Sequence, residues 1–226
     1  MLAFIEAFNR IYVMAFGALR HLDGLAPLAI RLYLTPVMLS SGYTKLTGDN
    51  FFMHIQEDFP FPFSVLPSAL SWFLATWTEF LGGILLFFGV AVRVIAIPLL
   101  VTMWVAAVSV HWDNGWAAIA PSNPSPVCIE GTNERAQASA FVKFVKCYNV
   151  NERTIAASER LAKGKEIMQA NGRWSWLNAH GSFVKLNSGI EFATTYFVML
   201  LVLLFMGGGR YVSVDWWLGH WVDRRL

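Results

Sequence analysis

A few ionisable side chains stand inside or at the edges of segments that are otherwise apolar. Glu79 lies within the apolar run 66–92, and Lys45, His111 and Glu191 lie at the ends of three further apolar segments. A carboxylate inside a membrane-spanning helix is costly, by about 2.5–3.5 kcal/mol on insertion scales. We therefore expect Glu79 to face other helices, where it either stays protonated or pairs with a cation.

Two interpretations of these residues stay open. In the first, Glu79 and Glu191 line one buried catalytic site near the outer half of a helix bundle, with His111 and Lys45 as neighbours. Such a site could hold a quinone headgroup and accept protons as electrons arrive. In the second, the acids are structural: Glu79 locks the bundle, His111 packs at the interface, and Lys45 extends to the surface.

Composition places the chain in a membrane. Its 226 residues are 56% hydrophobic and only 14% charged, whereas a soluble domain is about 25% charged. Abundant Trp and Phe suit lipid-facing and interfacial surfaces. The net charge of +2 comes without a basic stripe, so we expect no nucleic-acid partner. Residues 1–16 lack a basic start and an A-x-A site, so we expect no cleaved signal peptide.

Four apolar segments are long enough to be predicted as membrane spans, at about 25–46, 68–92, 94–111 and 189–208. The first span carries Arg31 one to two turns in, where its side chain could extend to the surface. Its small residues 40–42 should let another helix approach closely. Only Ala91 to Arg93 separate the second span from the third, which predicts a tight hairpin.

Two segments before the second span should lie at the membrane surface. Residues 1–20 predict an amphipathic helix with Arg10 and Arg20 toward the headgroups. Residues 47–67 alternate Phe and Pro, a pattern that cannot form a regular helix. This loop is expected to be ordered at the interface.

Residues 117–187 are more polar and predict a helical insertion outside the membrane, between the third and fourth spans. We expect helices at 133–147 and 153–170, the second capped by Asn149 with Glu152 reaching back. Few large apolar side chains occur here, so the insertion should not be a domain with its own core. The whole chain, 1–226, is therefore interpreted as a single membrane domain.

The arginines outside the insertion predict the orientation, since short cytoplasmic loops carry excess positive charge. With four spans, one side of the membrane holds Arg10, Arg20, Arg93, Arg210, Arg224 and Arg225. Both termini are then cytoplasmic, and the insertion of a bacterial protein is periplasmic. In that oxidising compartment Cys128 and Cys147 could form a disulfide. Two free thiols are the alternative, because the pair lacks a typical spacing.

Several segments resemble, in order and topology, the DoxX family of four-helix membrane proteins. They are RLYLTPVMLSSGYTKL, TEFLGGILLFFGVAVR, HWDNGW and IEFATTYFVMLLVLLFMGGGRYVSVD, and they include Arg31, Gly42, Lys45, Glu79, Gly82, Gly89, Arg93, Glu191, Gly207, Arg210 and Asp215. VHWDNGW and the run from NAHGSFVKLNSGIEF to the end resemble a subgroup associated with maturation of copper-binding, ribosomally made, modified peptides (RiPPs). The insertion 117–187 departs from the short connection of simpler members.

The resemblance implies an all-α, four-transmembrane-helix bundle in the bacterial inner membrane, with a redox association. Some relatives look like the membrane subunit of thiosulfate:quinone oxidoreductase, and others join complexes in thiol and peroxide defence. The first hypothesis is therefore a redox-linked accessory protein that exchanges electrons with quinone and serves copper-peptide maturation or copper and oxidative-stress defence. Partners would be the bilayer, soluble redox or peptide-modifying enzymes, and further copies of the chain. The predicted topology places a charge network of Arg31, Arg93, Arg210 and Asp215 at the cytoplasmic end.

Two other function classes remain. One is a non-enzymatic scaffold or export partner for soluble enzymes; the other is a small-molecule or metal permease, for which an internal repeat is expected and not found. The lack of a CxxC, a Gly-rich nucleotide loop or a haem motif argues against a self-contained oxidoreductase. Copper could bind to soft ligands of the chain itself, namely Cys128, Cys147, Met103 or His111, whose spacing is not diagnostic.

Overall fold

The described residues fold almost entirely as helices. The computed structural model describes residues 2–19 and 22–223, and over these ranges it contains no strand. The helices are α1 Leu2–Leu19, α2 Leu25–Thr47, α3 Ser68–Phe88, α4 Val92–Val105, α5 Asn133–Gln137, α6 Ala140–Cys147, α7 Glu152–Asn171, α8 Trp174–Leu177, α9 Glu191–Met206 and α10 Val214–Asp223. Arg20, Arg224 and Arg225, which the orientation prediction used, lie outside the described residues.

Within the described ranges, two helical stretches are long and apolar enough to cross a membrane. They are Ser68–Phe88, with 21 residues, and Val92–Asn114, in which a π-helical turn and a 3-10 turn continue α4 over 23 residues. Only 33% and 17% of their apolar windows are buried within the protein, so most of this surface faces outward, as lipid contact requires. Helix α9 is apolar but has only 16 residues. Helices α2 and α9 form where spans were predicted, and their passage through the membrane remains a prediction.

The turn between α3 and α4 lies two residues earlier than predicted. Helix α3 ends at Phe88, and Gly89 adopts a left-handed conformation with φ of 64°. Helix α4 then begins at Val92, so Arg93 belongs to its first turn rather than to the connection. The prediction missed this because it did not treat Gly89 as the C-terminal cap, a position where glycine is common.

The chain divides into two compact units. The first comprises residues 1–57, 61–103 and 196–226, and the second comprises residues 58–60 and 104–195. The core of the first unit is aliphatic and includes Leu34, Met38, Leu86, Val92, Leu99, Leu100, Met103, Leu200 and Leu203. Its helices α2, α3, α4 and α9 all contribute to this core.

Glycines let α2 and α3 approach closely within the first unit. A Cβ atom on Gly42 would lie 2.6 Å from the backbone nitrogen of Phe80, and one on Gly83 would lie 2.8 Å from Leu39. Only residues without side chains fit at these two points. The predicted close approach at residues 40–42 is therefore confirmed at Gly42.

The second unit buries mostly small side chains. Its buried residues include Ala117, Ala118, Ala120, Val127, Thr154, Ala157, Ser158 and Leu161. A disulfide joins Cys128 and Cys147 across a sequence separation of 19. That bond holds the end of α6 against the turn at residues 126–128.

Two helix boundaries in the second unit differ from the predictions. Helix α7 is capped by Asn151, whose side chain accepts from the Thr154 amide at 2.9 Å, and not by Asn149. The prediction named the wrong asparagine because Asn149 and Asn151 are only two residues apart and asparagine is favoured as a helix cap. The helix predicted over 133–147 is two helices, because Ser139 starts α6 anew by accepting from the Val142 amide.

Candidate functional site

A buried ion pair joins α2 to α3 in the first unit. The Lys45 Nζ lies 2.6 Å from Glu79 Oε2 and donates a second hydrogen bond to Ser41 Oγ at 2.8 Å. The side chain of Glu79 is only 4% exposed and that of Lys45 14%. The expectation that Glu79 pairs with a cation is thus confirmed. The expectation that Lys45 extends to the surface is wrong, because its ammonium group turns inward to the carboxylate.

More polar groups lie along the buried face of α3. Ser71, Thr76 and Glu79 are all buried, and their spacing of five and three residues keeps them on one side of a helix. The Thr76 hydroxyl, 3% exposed, has no hydrogen-bond partner among the described residues. Because a buried polar group without a partner costs about 1–3 kcal/mol, Thr76 is a group to which a ligand or a water would bind favourably.

Gln56 and three aromatic rings adjoin the Ser71 end of this face. Gln56 Nε2 donates to Ser71 Oγ at 2.9 Å, while its buried Oε1 has no partner within the described ranges. Phe51 and Phe52 each pack edge-on against Trp72, with ring centroids 5.2 and 5.1 Å apart. The loop 47–67 forms short 3-10 turns. This agrees with the prediction that its alternating Phe and Pro residues cannot form a regular helix.

His111 and Glu191 make backbone contacts within the second unit. His111 Nδ1 donates to the Ser188 carbonyl at 2.7 Å, and Glu191 Oε2 accepts from the Ala118 amide at 3.0 Å. Both side chains are half-buried. The structure thus brings Lys45 and Glu79 together and gives His111 and Glu191 partners of their own. A common site for all four residues stays a prediction.

Arg31 is fully buried in the first unit, with no exposed surface. Its guanidinium donates to the carbonyls of Leu86 at 2.8 Å, Gly208 at 2.6 Å and Val212 at 2.7 Å. It also donates to Phe87, in the last turn of α3. Carbonyls at helix C-termini lack partners within their own helix. Arg31 supplies those partners, so the alternative in which it extends to the surface is wrong.

Asp215 caps the start of α4. Its two carboxylate oxygens accept from the amides of Ala91 at 2.6 Å and Val92 at 2.8 Å. A carboxylate at a helix N-terminus satisfies free amides and complements the helix dipole. The Ser213 hydroxyl donates to the Gly89 carbonyl at 3.1 Å. A Cβ atom on Gly89 would lie 2.8 Å from the Arg31 guanidinium carbon, so this position needs glycine.

Arg93 and Arg210 lie at the same end of the first unit as Arg31 and Asp215. Arg93 Nη2 donates to the Phe205 carbonyl at 3.0 Å. Arg210 lies 3.0 Å from the Asp23 carboxylate and stacks over the Tyr211 ring at 5.2 Å. The four predicted network residues therefore share one end, but they bind mainly backbone groups, and the partner of Arg210 is Asp23.

The cysteines are unsuited to metal binding. Both sulfurs belong to the disulfide, whereas a metal ligand is a thiolate. The suggestion that Cys128 and Cys147 hold copper is therefore wrong. Among the residues that the structure describes, no group of three or more His, Cys, Asp or Glu side chains could hold a metal ion.

Sequence reasoning missed Gln56, Ser71, Thr76 and Ser213. The signal for Ser71 and Thr76 was their helical spacing to Glu79, which places polar residues on one face of an apolar helix. Gln56 and Ser213 lie in irregular segments, and no periodicity points to them.

Part of the chain is similar in sequence to known proteins. The DoxX family model matches residues 26–112. An uncharacterized protein of Haemophilus influenzae is 38% identical over 94 residues, which cover 42% of this chain and 62% of that protein. The chain thus matches less than two thirds of the length of this curated relative. No solved structure matches. Over residues 26–112, which include Arg31, Lys45 and Glu79, the chain carries a domain similar to the DoxX family, and this similarity indicates a membrane protein.

Proposed function

We propose that this chain is a multi-pass protein of the bacterial inner membrane and a redox-linked accessory component, with the Lys45–Glu79 pair as its proton-handling site. The buried ion pair carries the proposal. Helix α3, which supplies Glu79, is apolar and long enough to span a bilayer. An ionisable residue in such a helix is by default a functional-site hypothesis.

The polar groups near the pair fit a quinone headgroup. A bound quinone supplies an acceptor for two electrons and two protons, and the electrons come from a partner redox protein. Lys45 can donate one proton to the quinone, and the Glu79 carboxylate can then take a proton from water and pass it to Lys45 across their 2.6 Å hydrogen bond. A second round supplies the second proton. The unpartnered Thr76 hydroxyl can donate to a quinone carbonyl oxygen. The rings of Phe51 and Trp72 pack together about 10 Å farther along α3, where they offer apolar surface for the quinone's hydrocarbon tail.

We place the second unit's insertion on the periplasmic side and the protein in copper-peptide maturation or copper and oxidative-stress defence. The disulfide supports the first point, because such bonds persist in oxidising compartments. The second point rests on the resemblance of VHWDNGW and of NAHGSFVKLNSGIEF to the copper-peptide subgroup.

Glu79→Gln and Lys45→Met test the site. We expect quinone reduction by native membranes to fall by about 100-fold, the lower range for loss of a general acid or base. Detergent-extracted yield should fall less in Glu79→Gln than in Glu79→Ala, since the amide still hydrogen-bonds to Lys45. Glu57→Gln is the matched control, because Glu57 is exposed. Normal quinone reduction and normal copper tolerance in both site variants would refute the proposal.

A scaffold is the second candidate, and one surface favours it. In α6 and just after it, Phe141, Phe144 and Tyr148 are 75%, 71% and 64% exposed. Exposed apolar patches of this kind mark interaction sites. If Phe144→Ser abolishes copper tolerance while Glu79→Gln leaves it intact, the scaffold is the better description.

A further inference from the structure

A groove with two arginines opens at the end of the first unit where α4 begins and α9 ends. Its volume is about 780 Å³. The lining that matters for binding comprises Arg93, Arg210, the backbone of residues 207–209, and Trp216. It lies on the opposite end of α2 from the Lys45–Glu79 pair: Arg31, which binds Gly208, is 14 residues from Lys45, or about 21 Å along a helix.

The acids at this groove are already engaged. Asp215 accepts from the two amides at the start of α4, and Asp23 pairs with Arg210. Within the described residues, Arg93 has no ion-pair partner, and its one hydrogen bond goes from Nη2 to the Phe205 carbonyl. A guanidinium has five N–H donors. Arg93 is exposed, so it presents an uncompensated charge and free donors to the groove.

The surroundings of the groove resemble a membrane–water boundary. Val94 in its lining and Phe205, whose carbonyl accepts from Arg93, are 69% and 73% exposed, as apolar side chains in contact with lipid would be. On the other side α10 exposes Trp217 and Trp221. Tryptophan is enriched at the level of lipid headgroups. Trp216 lines the groove itself and stacks on His220 with ring centroids 4.4 Å apart.

We propose that this groove binds the phosphate group of an anionic phospholipid, with Arg93 as its principal ligand. Arginine binds phosphate oxygens through paired N–H donors. Basic pockets between membrane helices on the cytoplasmic side suit anionic headgroups. Gly207 keeps the space beside the Arg93 guanidinium open, since a Cβ atom there would lie 3.2 Å from Nε.

Lipid binding to the purified full-length protein tests this proposal. Native mass spectrometry would compare phosphatidylglycerol with phosphatidylcholine, and inorganic phosphate would be added as a competitor. We expect retention of phosphatidylglycerol, with an affinity about ten-fold lower in Arg93→Gln, the size of one lost charge-assisted hydrogen bond. Arg160→Gln removes an equal charge from an exposed position of helix α7 and should leave the affinity unchanged.

Three results would overturn the proposal. The first is equal retention of the two lipids by the unaltered protein, a measurement that does not depend on any variant folding. The second is displacement of phosphatidylglycerol by millimolar inorganic phosphate, which would make free phosphate the occupant. The third is an equal loss of affinity in Arg93→Gln and Arg160→Gln, which would show only general attraction to the surface charge.

Discussion

Two buried charges in the first unit are satisfied in different ways. Among the described residues, Glu79 has one charged partner, Lys45, and three residues before it Thr76 has a buried hydroxyl with no partner there. Within the part of the chain that the structure describes, Arg31 donates to backbone carbonyls only. A buried charge whose hydrogen bonds all go to backbone carbonyls suits a structural role. An ion pair with an unpartnered hydroxyl group nearby can also bind a ligand and exchange protons with it. We therefore propose a structural role for Arg31 and a functional role for Lys45 and Glu79.

Replacing both members of the ion pair separates stability from function. Glu79→Ala alone leaves a buried ammonium and should reduce the free energy of unfolding by about 3–5 kcal/mol. In Lys45→Met with Glu79→Leu no charge remains, so stability should return to within about 1–2 kcal/mol of the original, while quinone reduction stays lost. Thermal unfolding in detergent and quinone reduction by membranes provide the two measurements. Recovery of both in the double variant would make the pair purely structural.

Arg31→Lys tests the capping role. Lysine keeps the charge, but its donors are all on one nitrogen. That nitrogen cannot reach all the carbonyls that surround the larger guanidinium. Leu86, Gly208 and Val212 would lose partners, so we expect a loss of at least about 3 kcal/mol, seen as a lower melting temperature. The control is Arg160→Lys on the exposed face of α7, which should change nothing. An Arg31→Lys protein that melts normally would contradict the role.

Among the elements, the packing of α2 on α3 depends on two glycines. Gly42 and Gly83 remove the side chains that would hold these helices apart, and Lys45 then reaches Glu79 from the next turn of α2. The two helices therefore meet through small residues, as membrane helices commonly do. The ion pair is a consequence of this close approach.

Gly42→Ala and Gly164→Ala should have opposite effects. The first puts a methyl group 2.6 Å from the Phe80 backbone, and we expect a loss of about 1–3 kcal/mol as α2 and α3 separate. The second is within α7, where a Cβ atom would meet nothing within 4 Å. Alanine there should stabilise by about 0.5–1 kcal/mol. Thermal unfolding measures both, and equal effects would contradict the packing argument.

Local patterns predicted the helices better than the contacts between them. The positions of α2, α3 and α7 follow from apolar runs and helix formers near in sequence. The partners of Arg31 lie 55 to 181 residues away, so no local pattern identifies them. The position of Lys45 at the end of α2 left two alternatives, a place beside Glu79 or at the surface, and only the approach at Gly42 directs it inward. The choice of Asn149 over Asn151 failed because both residues can cap a helix.

At the scale of the whole molecule, the open question is which side of the membrane each end faces. The short-loop arginines predict cytoplasmic termini, and the Cys128–Cys147 disulfide supports an oxidising side for the second unit. Single cysteines would decide it, since the two native cysteines are joined in the disulfide. Ser122 in the insertion and Gly219 in α10 are both exposed, whereas Ser213 is buried and unsuitable.

In intact cells, a membrane-impermeant thiol reagent should label Ser122→Cys and leave Gly219→Cys unlabelled until the membrane is opened. We expect this difference in labelling because an impermeant reagent reaches only the periplasmic side. Both positions are exposed, so burial does not explain a lack of labelling. Labelling after lysis is the control for accessibility at Gly219. The reverse pattern would place the insertion in the cytoplasm, and labelling of both cysteines in intact cells would put the two positions on the same side. Either result would also move the arginine groove away from the cytoplasmic leaflet, since Arg93 and Arg210 lie in the same unit as α10.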